Sequence, residues 1–183
     1  IIISIANLVP VKGIEVLIEA FKLIFSNLHN WKLMIVGNDL TEYGIELKNN
    51  YLIKEKLNDR IIFTGKQNNI RELLDISEIY VQSTLNEGRI EGAPIAILEA
   101  MVNKKVIIGS DVPGIRDQLK AFPNHLFKAS NSTMLSEKLF FFMNKTKHEN
   151  HEIGEKFYNF VVKNYNISNE KQMIQQYYNQ ILL

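Results

Sequence analysis

Ile1-Ile2-Ile3-Ser4-Ile5-Ala6 runs into Asn7-Leu8-Val9-Pro10-Val11-Lys12-Gly13, and then into a segment where Ile14, Leu17, Ile18, Phe21, Ile24 and Phe25 recur at helical spacing. A short apolar run, a turn and a 3.6-period stripe make one strand–turn–helix unit, with Glu15, Glu19 and Lys22 on the polar side of the helix. The unit repeats along the chain. Strands are expected at Ile1–Ala6, Lys32–Val36, Arg60–Thr64, Glu78–Gln82, Lys105–Gly109 and, with a weaker pattern, His125–Lys128. Ile61-Ile62-Phe63 and Val106-Ile107-Ile108 are continuously apolar rather than alternating, as suits strands covered by helices on both faces. Alternating strands and helices predict an α/β domain, a Rossmann-like doubly wound parallel sheet of about six strands with right-handed crossovers. That core is expected over residues 1–130, with helices alone over 131–183. The last helix, from Ser168, carries Met173, Ile174, Tyr177, Tyr178, Ile181 and Leu182.

The chain has 183 residues, 46% of them apolar, which is enough for one domain with a continuous core. Its 21 Lys and Arg nearly balance 20 Asp and Glu, so electrostatics give no case for a nucleic-acid or acidic-membrane binder. There is no Cys, which removes disulfides, Fe–S clusters and thiol catalysis and fits a reducing compartment. No apolar run approaches the roughly 18–20 residues needed to span a bilayer. The sequence starts at Ile1 and a strand begins at once, so the expectation is a piece of a longer protein.

Several motifs are excluded. No Gly-x-Gly-x-x-Gly follows the first strand, and Gly109 and Gly114 have P-loop spacing but lead into Ile115-Arg116 rather than Lys-Ser/Thr. Asp39, Asp59, Asp75, Asp111 and Asp117 form no Asp-x-Asp pair, which disfavours a metal-bridged diphosphate site. His148 and His151 read as surface residues rather than metal ligands.

Two segments break the pattern of an ordinary core. In Gly92-Ala93-Pro94-Ile95-Ala96-Ile97-Leu98-Glu99-Ala100-Met101-Val102, Pro94 suits the first turn of a helix, and every residue from Ala93 to Val102 except Glu99 is uncharged. Such a helix should be buried almost all round. At about 100° per residue Glu99 lies about 40° from Ile95 and about 60° from Val102, beside the expected core face. A buried carboxylate needs a partner, either a basic group of the protein or a ligand offering hydroxyl donors. Glu91, just ahead of the helix, either complements the helix dipole or lines one pocket with the amides of residues 92–95. The second segment is the turn Asn7–Gly13, at the carboxyl end of the first strand where open α/β sheets bind ligands. Lys12 beside Gly13 at a helix start reads as a phosphate contact or as a plain surface lysine.

Taken together, these segments resemble the donor-binding, C-terminal domain of family 4 retaining glycosyltransferases (glycosyl transferases group 1). Asn7 to Gly13 with Glu19-Ala20-Phe21 is similar to its start, and Leu33-Met34-Ile35-Val36-Gly37 and Ile62-Phe63-Thr64-Gly65 to its next strand-and-glycine segments. Glu91-Gly92-Ala93-Pro94 through Glu99-Ala100-Met101 matches the Glu-x7-Glu signature of the family. Lys105 to Ile108 with Asp111 to Asp117 resembles the strand and glycine turn after that signature.

The resemblance implies half of a GT-B fold that transfers sugar, with retention, from a nucleotide-sugar such as a UDP- or GDP-sugar without bound metal. It implies an acceptor site on an N-terminal domain absent from this sequence, a membrane-associated acceptor, and cytoplasmic location peripheral to the inner face of a membrane. By the same resemblance Glu99 takes ribose hydroxyls, Glu91 the donor sugar, and Lys12 the diphosphate, with Glu91 and Lys12 the catalytic pair. Gly92, Ala93, Pro94 and Ile95 supply amides, Gly65 and Lys66 meet the base, and Asn7 and Gly13 complete the donor site. Asn7 stands where many members have Arg, leaving Arg89 or Lys66 to supply a second cation. Asn86 to Ile90 reads as an insertion whose Glu87-Gly88 mimics the first motif glutamate. A noncatalytic nucleotide-sugar-binding module and a GT-B sugar epimerase are the alternative readings.

Overall fold

A computed structural model describes residues 1–25, 30–87 and 92–165. Six strands form one parallel sheet: β1 (Ile2–Ile5), β2 (Leu33–Val36), β3 (Ile61–Phe63), β4 (Ile79–Gln82), β5 (Val106–Ser110) and β6 (Leu126–Phe127), in the order β3-β2-β1-β4-β5-β6. The expected strands are all present, shifted by a residue or so at their ends: most are trimmed, and β5 runs on to Ser110. The final helix expected from Ser168, with Tyr177 and Tyr178, lies outside the described residues.

Side chains that alternate along each strand separate two cores, which is why the strands read as unbroken apolar runs. Ile2, Leu33, Ile35, Ile79, Val81, Val106 and Ile108 face α1 (Ile14–Ile24), α2 (Glu42–Leu47) and α6 (Ser132–Met143). Ile3, Met34, Tyr80 and Ile107 face α3 (Ile70–Asp75), α4 (Ile95–Val102), α5 (Pro113–Gln118) and α7 (Lys147–Asn164). Each fully buried side chain of this size contributes about 1.5–3 kcal/mol. A wider π-helical stretch, Lys48–Lys54, continues α2. Local polar chemistry fixes the helix starts. Thr41 caps α2, Asn131 caps α6, and Thr146 and Glu149 bond reciprocally at the start of α7.

The sheet has a switch point between β1 and β4. These two strands pair only through Ile2 with Ile79 and Ile3 with Tyr80. Beyond that, β1 continues beside β2 as far as Ile5 with Val36, while β4 continues beside β5 as far as Gln82 with Gly109. Their carboxyl ends therefore part, and a crevice opens between them.

At the sheet edge where the two cores meet, His125 lies among Phe142, Phe157 and Phe122, with ring centroids 4.8, 4.9 and 6.1 Å away, and its Nδ1 donates to the Ile107 carbonyl at 2.7 Å. Burial pushes this imidazole from 6.5 down to about 4, against the pull of the Ile107 bond and with a smaller push from Lys138. The unfolded chain takes up the proton near 6.5 and the folded chain only near 4, so stability falls as pH drops through that window. Chemical denaturation from pH 7 to pH 4 should show a loss of up to about 3 kcal/mol that is missing in His125→Gln.

Candidate functional site

The crevice at the switch point holds a cleft of about 460 Å³. Its walls are the ends of β1 (Ile5, Ala6, Asn7) and β2 (Val36, Gly37, Asn38), the segment after β3 (Lys66, Gln67, Ile70), Gln82 at the end of β4, and Pro94, Ile95 and Ala96 at the start of α4. Lys12 reaches in from the turn after β1. Thus Asn7, Lys12, Lys66, Pro94 and Ile95, widely separated in sequence, line one cleft. Among the described lining residues there are two lysines and no carboxylate. Such a site favours an anion.

The turn that carries Lys12 is fixed by the strand beside it. Lys12 N donates to the Val9 carbonyl at 3.0 Å and Gly13 N to the Pro10 carbonyl at 2.9 Å. Leu85 N donates to the Val11 carbonyl at 2.8 Å, and Ser83 Oγ to the Lys12 carbonyl at 3.0 Å. Gly13 sits at φ +61°, and a Cβ there would collide with the Ser83 carbonyl. Only glycine lets the turn lie this close to β4.

Opposite the turn, Gly37 N donates to the Gly65 carbonyl at 3.1 Å, joining the ends of β2 and β3. Gly65, at φ +71°, does not itself line the cleft, although its neighbour Lys66 does. Gly13 lies behind Lys12 and is buried, so its part is steric.

The helix behind Pro94 differs from the sequence-based expectation. Ile97, Ala100 and Met101 of α4 are buried, but Ile95 is 71% exposed and Val102 49% exposed, and Glu99 between them is exposed too. The helix packs on β4, β5 and α7 along one side only, so an apolar sequence does not bury it all round. The expectation that Glu99 is sunk in the core is therefore wrong. Its carboxylate stands in solvent with no ion pair to another described residue, one turn beyond Ile95 on the face that leads to the cleft rim. The burial argument that demanded a partner for Glu99 falls away, and Glu99 is not among the residues that line the cleft. Pro94, Ile95 and Ala96 bring the helix start into the cleft, where the first amides of a helix have no intrahelical partner. Gly92 and Ala93 are exposed ahead of them and outside the lining, and an added Cβ at Gly92 would meet nothing within 4 Å. Glu91 and Arg89 lie outside the described residues.

Sequence reasoning missed two groups. Gln82 is 3% exposed at the cleft floor and is held by neighbours on both sides: Tyr80 OH donates to its Oε1 at 2.5 Å, and its Nε2 donates to Thr84 Oγ1 at 3.0 Å. The polar run Gln82-Ser83-Thr84 straight after an apolar strand was the signal that could have found it. Gln118, 1% exposed, donates from Nε2 to the Pro94 carbonyl at 3.1 Å. Nothing in the spacing announces that contact. Among the described residues no group of three His, Asp or Glu is placed to hold a metal ion. A second hollow of about 260 Å³, which Lys105, Lys147 and Asn150 help to line, lies at the amino ends of β4 and β5, away from this site.

Residues 1–160 match the family glycosyl transferases group 1. The chain is 34% identical over 121 residues to N-acetyl-alpha-D-glucosaminyl L-malate synthase of Bacillus anthracis, a match that covers 66% of this chain and 29% of that protein. Among solved structures, HepE of Anabaena in complex with UDP and glucose superposes with a TM-score of 0.82 at 16% identity, over 97% of this chain and 47% of that one. The C-terminal domain of LpcC of Francisella tularensis, a glycosyl transferase group 1 family protein, superposes with a TM-score of 0.72 at 23% identity, over 91% of this chain and 86% of that one. The chain spans less than a third of the Bacillus protein and about half of the Anabaena one. This chain belongs to the group 1 glycosyl transferases, and its sheet is the Rossmann-like half of a GT-B fold.

The tight docking of the turn makes a checkable claim. Gly13→Ala adds a left-handed-backbone cost of about 1–2 kcal/mol to the collision with Ser83. Urea denaturation should show a loss of at least that size, whereas Gly92→Ala, with open space beside it, should change stability little.

Proposed function

We propose that this chain is the donor-binding half of a retaining glycosyltransferase. It would hold a nucleoside diphosphate sugar, such as a UDP- or GDP-sugar, in the switch-point cleft and present the anomeric carbon to an acceptor bound by an N-terminal domain. The observation that carries this reading is the lining of the cleft: Lys12, Lys66 and the start of α4 converge there, with no described carboxylate among them. Residues 1–130 form the sheet-based part of this half, and α6 and α7 follow as helices alone.

When the sugar leaves, negative charge grows on the departing diphosphate. Fixed cations and helix-end amides are the groups that stabilise such charge without a divalent ion. In this reading Lys12 and the amides of Ile95 and Ala96 take the phosphates, and the reaction needs no metal. Lys66, across the cleft, supplies the second cation that Asn7 does not, and with Gly65 it borders the base. Glu99, at the rim, accepts from the ribose hydroxyls, and Glu91 from hydroxyls of the donor sugar. Gly92 and Ala93 extend the amide series toward the sugar. The same reading puts the enzyme in the cytoplasm, reaching a membrane-associated acceptor through its other domain. HepE, the Anabaena relative in complex with UDP and glucose, supports a nucleotide-sugar as the ligand class.

Asn7 in the place of an arginine favours a second reading, a module that binds the nucleotide-sugar without turning it over. Calorimetry on the chain with UDP, GDP and inorganic pyrophosphate, each with and without EDTA, should show binding that EDTA leaves unchanged. Glu99→Ala should weaken nucleoside diphosphate binding by about 1.5 kcal/mol, near tenfold, and leave pyrophosphate binding alone. That is the low end for a hydrogen bond to a charged group, because the carboxylate is already in water. Lys12→Ala should weaken both. Sugar transfer by this chain alone would contradict the two-domain reading, and tight binding without turnover by the longer protein would favour the module.

A further inference from the structure

We propose that Gln118 is a positioning residue that aims the first amide of α4 at the donor diphosphate, an inference that rests on the proposed diphosphate role of the cleft. Gln118 closes α5 and lies in apolar surroundings, with Ile115 and Leu119 beside it at 0% exposed. Its Nε2 donates to the Pro94 carbonyl, which also accepts from Ile97 N at 3.2 Å. Its Oε1 is buried with no hydrogen-bond partner among the described residues. A buried acceptor left unpaired is destabilising, so packing alone favours leucine or methionine here. The glutamine therefore does something other than fill space.

The peptide joining Pro94 to Ile95 explains what it does. The carbonyl of Pro94 and the N–H of Ile95 belong to one planar trans unit and point in opposite directions. Pro94 has its φ fixed by the ring, here at −60°, so on its own side only ψ, here 117°, is left to swing this plane. Gln118 holds the plane by its carbonyl, and the opposite edge of the same plane carries the N–H of Ile95, a residue that lines the cleft. A side chain from α5 thus sets the direction of a donor on α4 without touching the ligand. With that donor aimed in advance, less ordering is left to do when an anion binds.

The 183-residue chain and its Gln118→Met variant are titrated with inorganic pyrophosphate by calorimetry, and both are melted. The expected result is pyrophosphate binding about three- to tenfold weaker in the variant, the worth of a neutral hydrogen bond, with a Tm equal to or above that of the unaltered chain. Equal affinity overturns the inference, and so does an affinity loss accompanied by a lower Tm or by failure to fold, because a structural role then suffices. An independent measurement needs no variant: pyrophosphate added to the ¹⁵N-labelled chain should shift the Ile95 amide signal, and an unmoved signal overturns the inference. If the unaltered chain binds no pyrophosphate, the reading of the cleft as a diphosphate site fails first, and this inference fails with it.

Discussion

The site depends on how closely the turn after β1 lies against the segment leaving β4. Val11, Lys12 and Gly13 sit on Ser83 and Leu85 through two hydrogen bonds and a backbone contact that admits no Cβ. This docking bridges the place where β1 and β4 part, so the crevice keeps a fixed width although no ladder crosses it. It also settles where Lys12 stands. A lysine is flexible, but its Cα is held by backbone bonds on either side, so the positive charge is confined to one wall of the cleft.

Much of this was legible in the sequence. Strands such as Val106-Ile107-Ile108 are covered on both faces, and that double burial is what an unbroken apolar run encodes. The last strand was harder to delimit: it contains only Leu126 and Phe127, because His125 turns to bond the carbonyl of Ile107. The turn from Asn7 to Gly13 and the start of α4 could be placed because proline and glycine have few backbone options.

Glu99 shows where pattern reasoning stops. Apolar content measures what a helix could bury, not what its neighbours cover, and α4 has one uncovered side on which Ile95, Glu99 and Val102 stand. Gln82 and Gln118 escaped notice for a different reason. Their importance lies in contacts, and glutamine in a strand or a short helix carries no periodic signal. The bond from Gln118 to Pro94 joins segments whose proximity exists only once the sheet is assembled. Both glutamines are buried polar groups beside a polar cleft, the kind of local cost that folds carry where binding needs direction more than packing.

The central pairing of β1 with β4 also orders events in time. Ile2 and Ile79 are neighbours in the sheet, yet the whole of β2, β3 and their helices lies between them along the chain. Closing so long a loop costs entropy that is recovered only when the strands zip together. The early units can collapse locally, but no hollow exists until the fourth strand arrives. Any ligand of that hollow would therefore find nothing to grip on a half-folded chain, and would act as a late clamp on a sheet already complete.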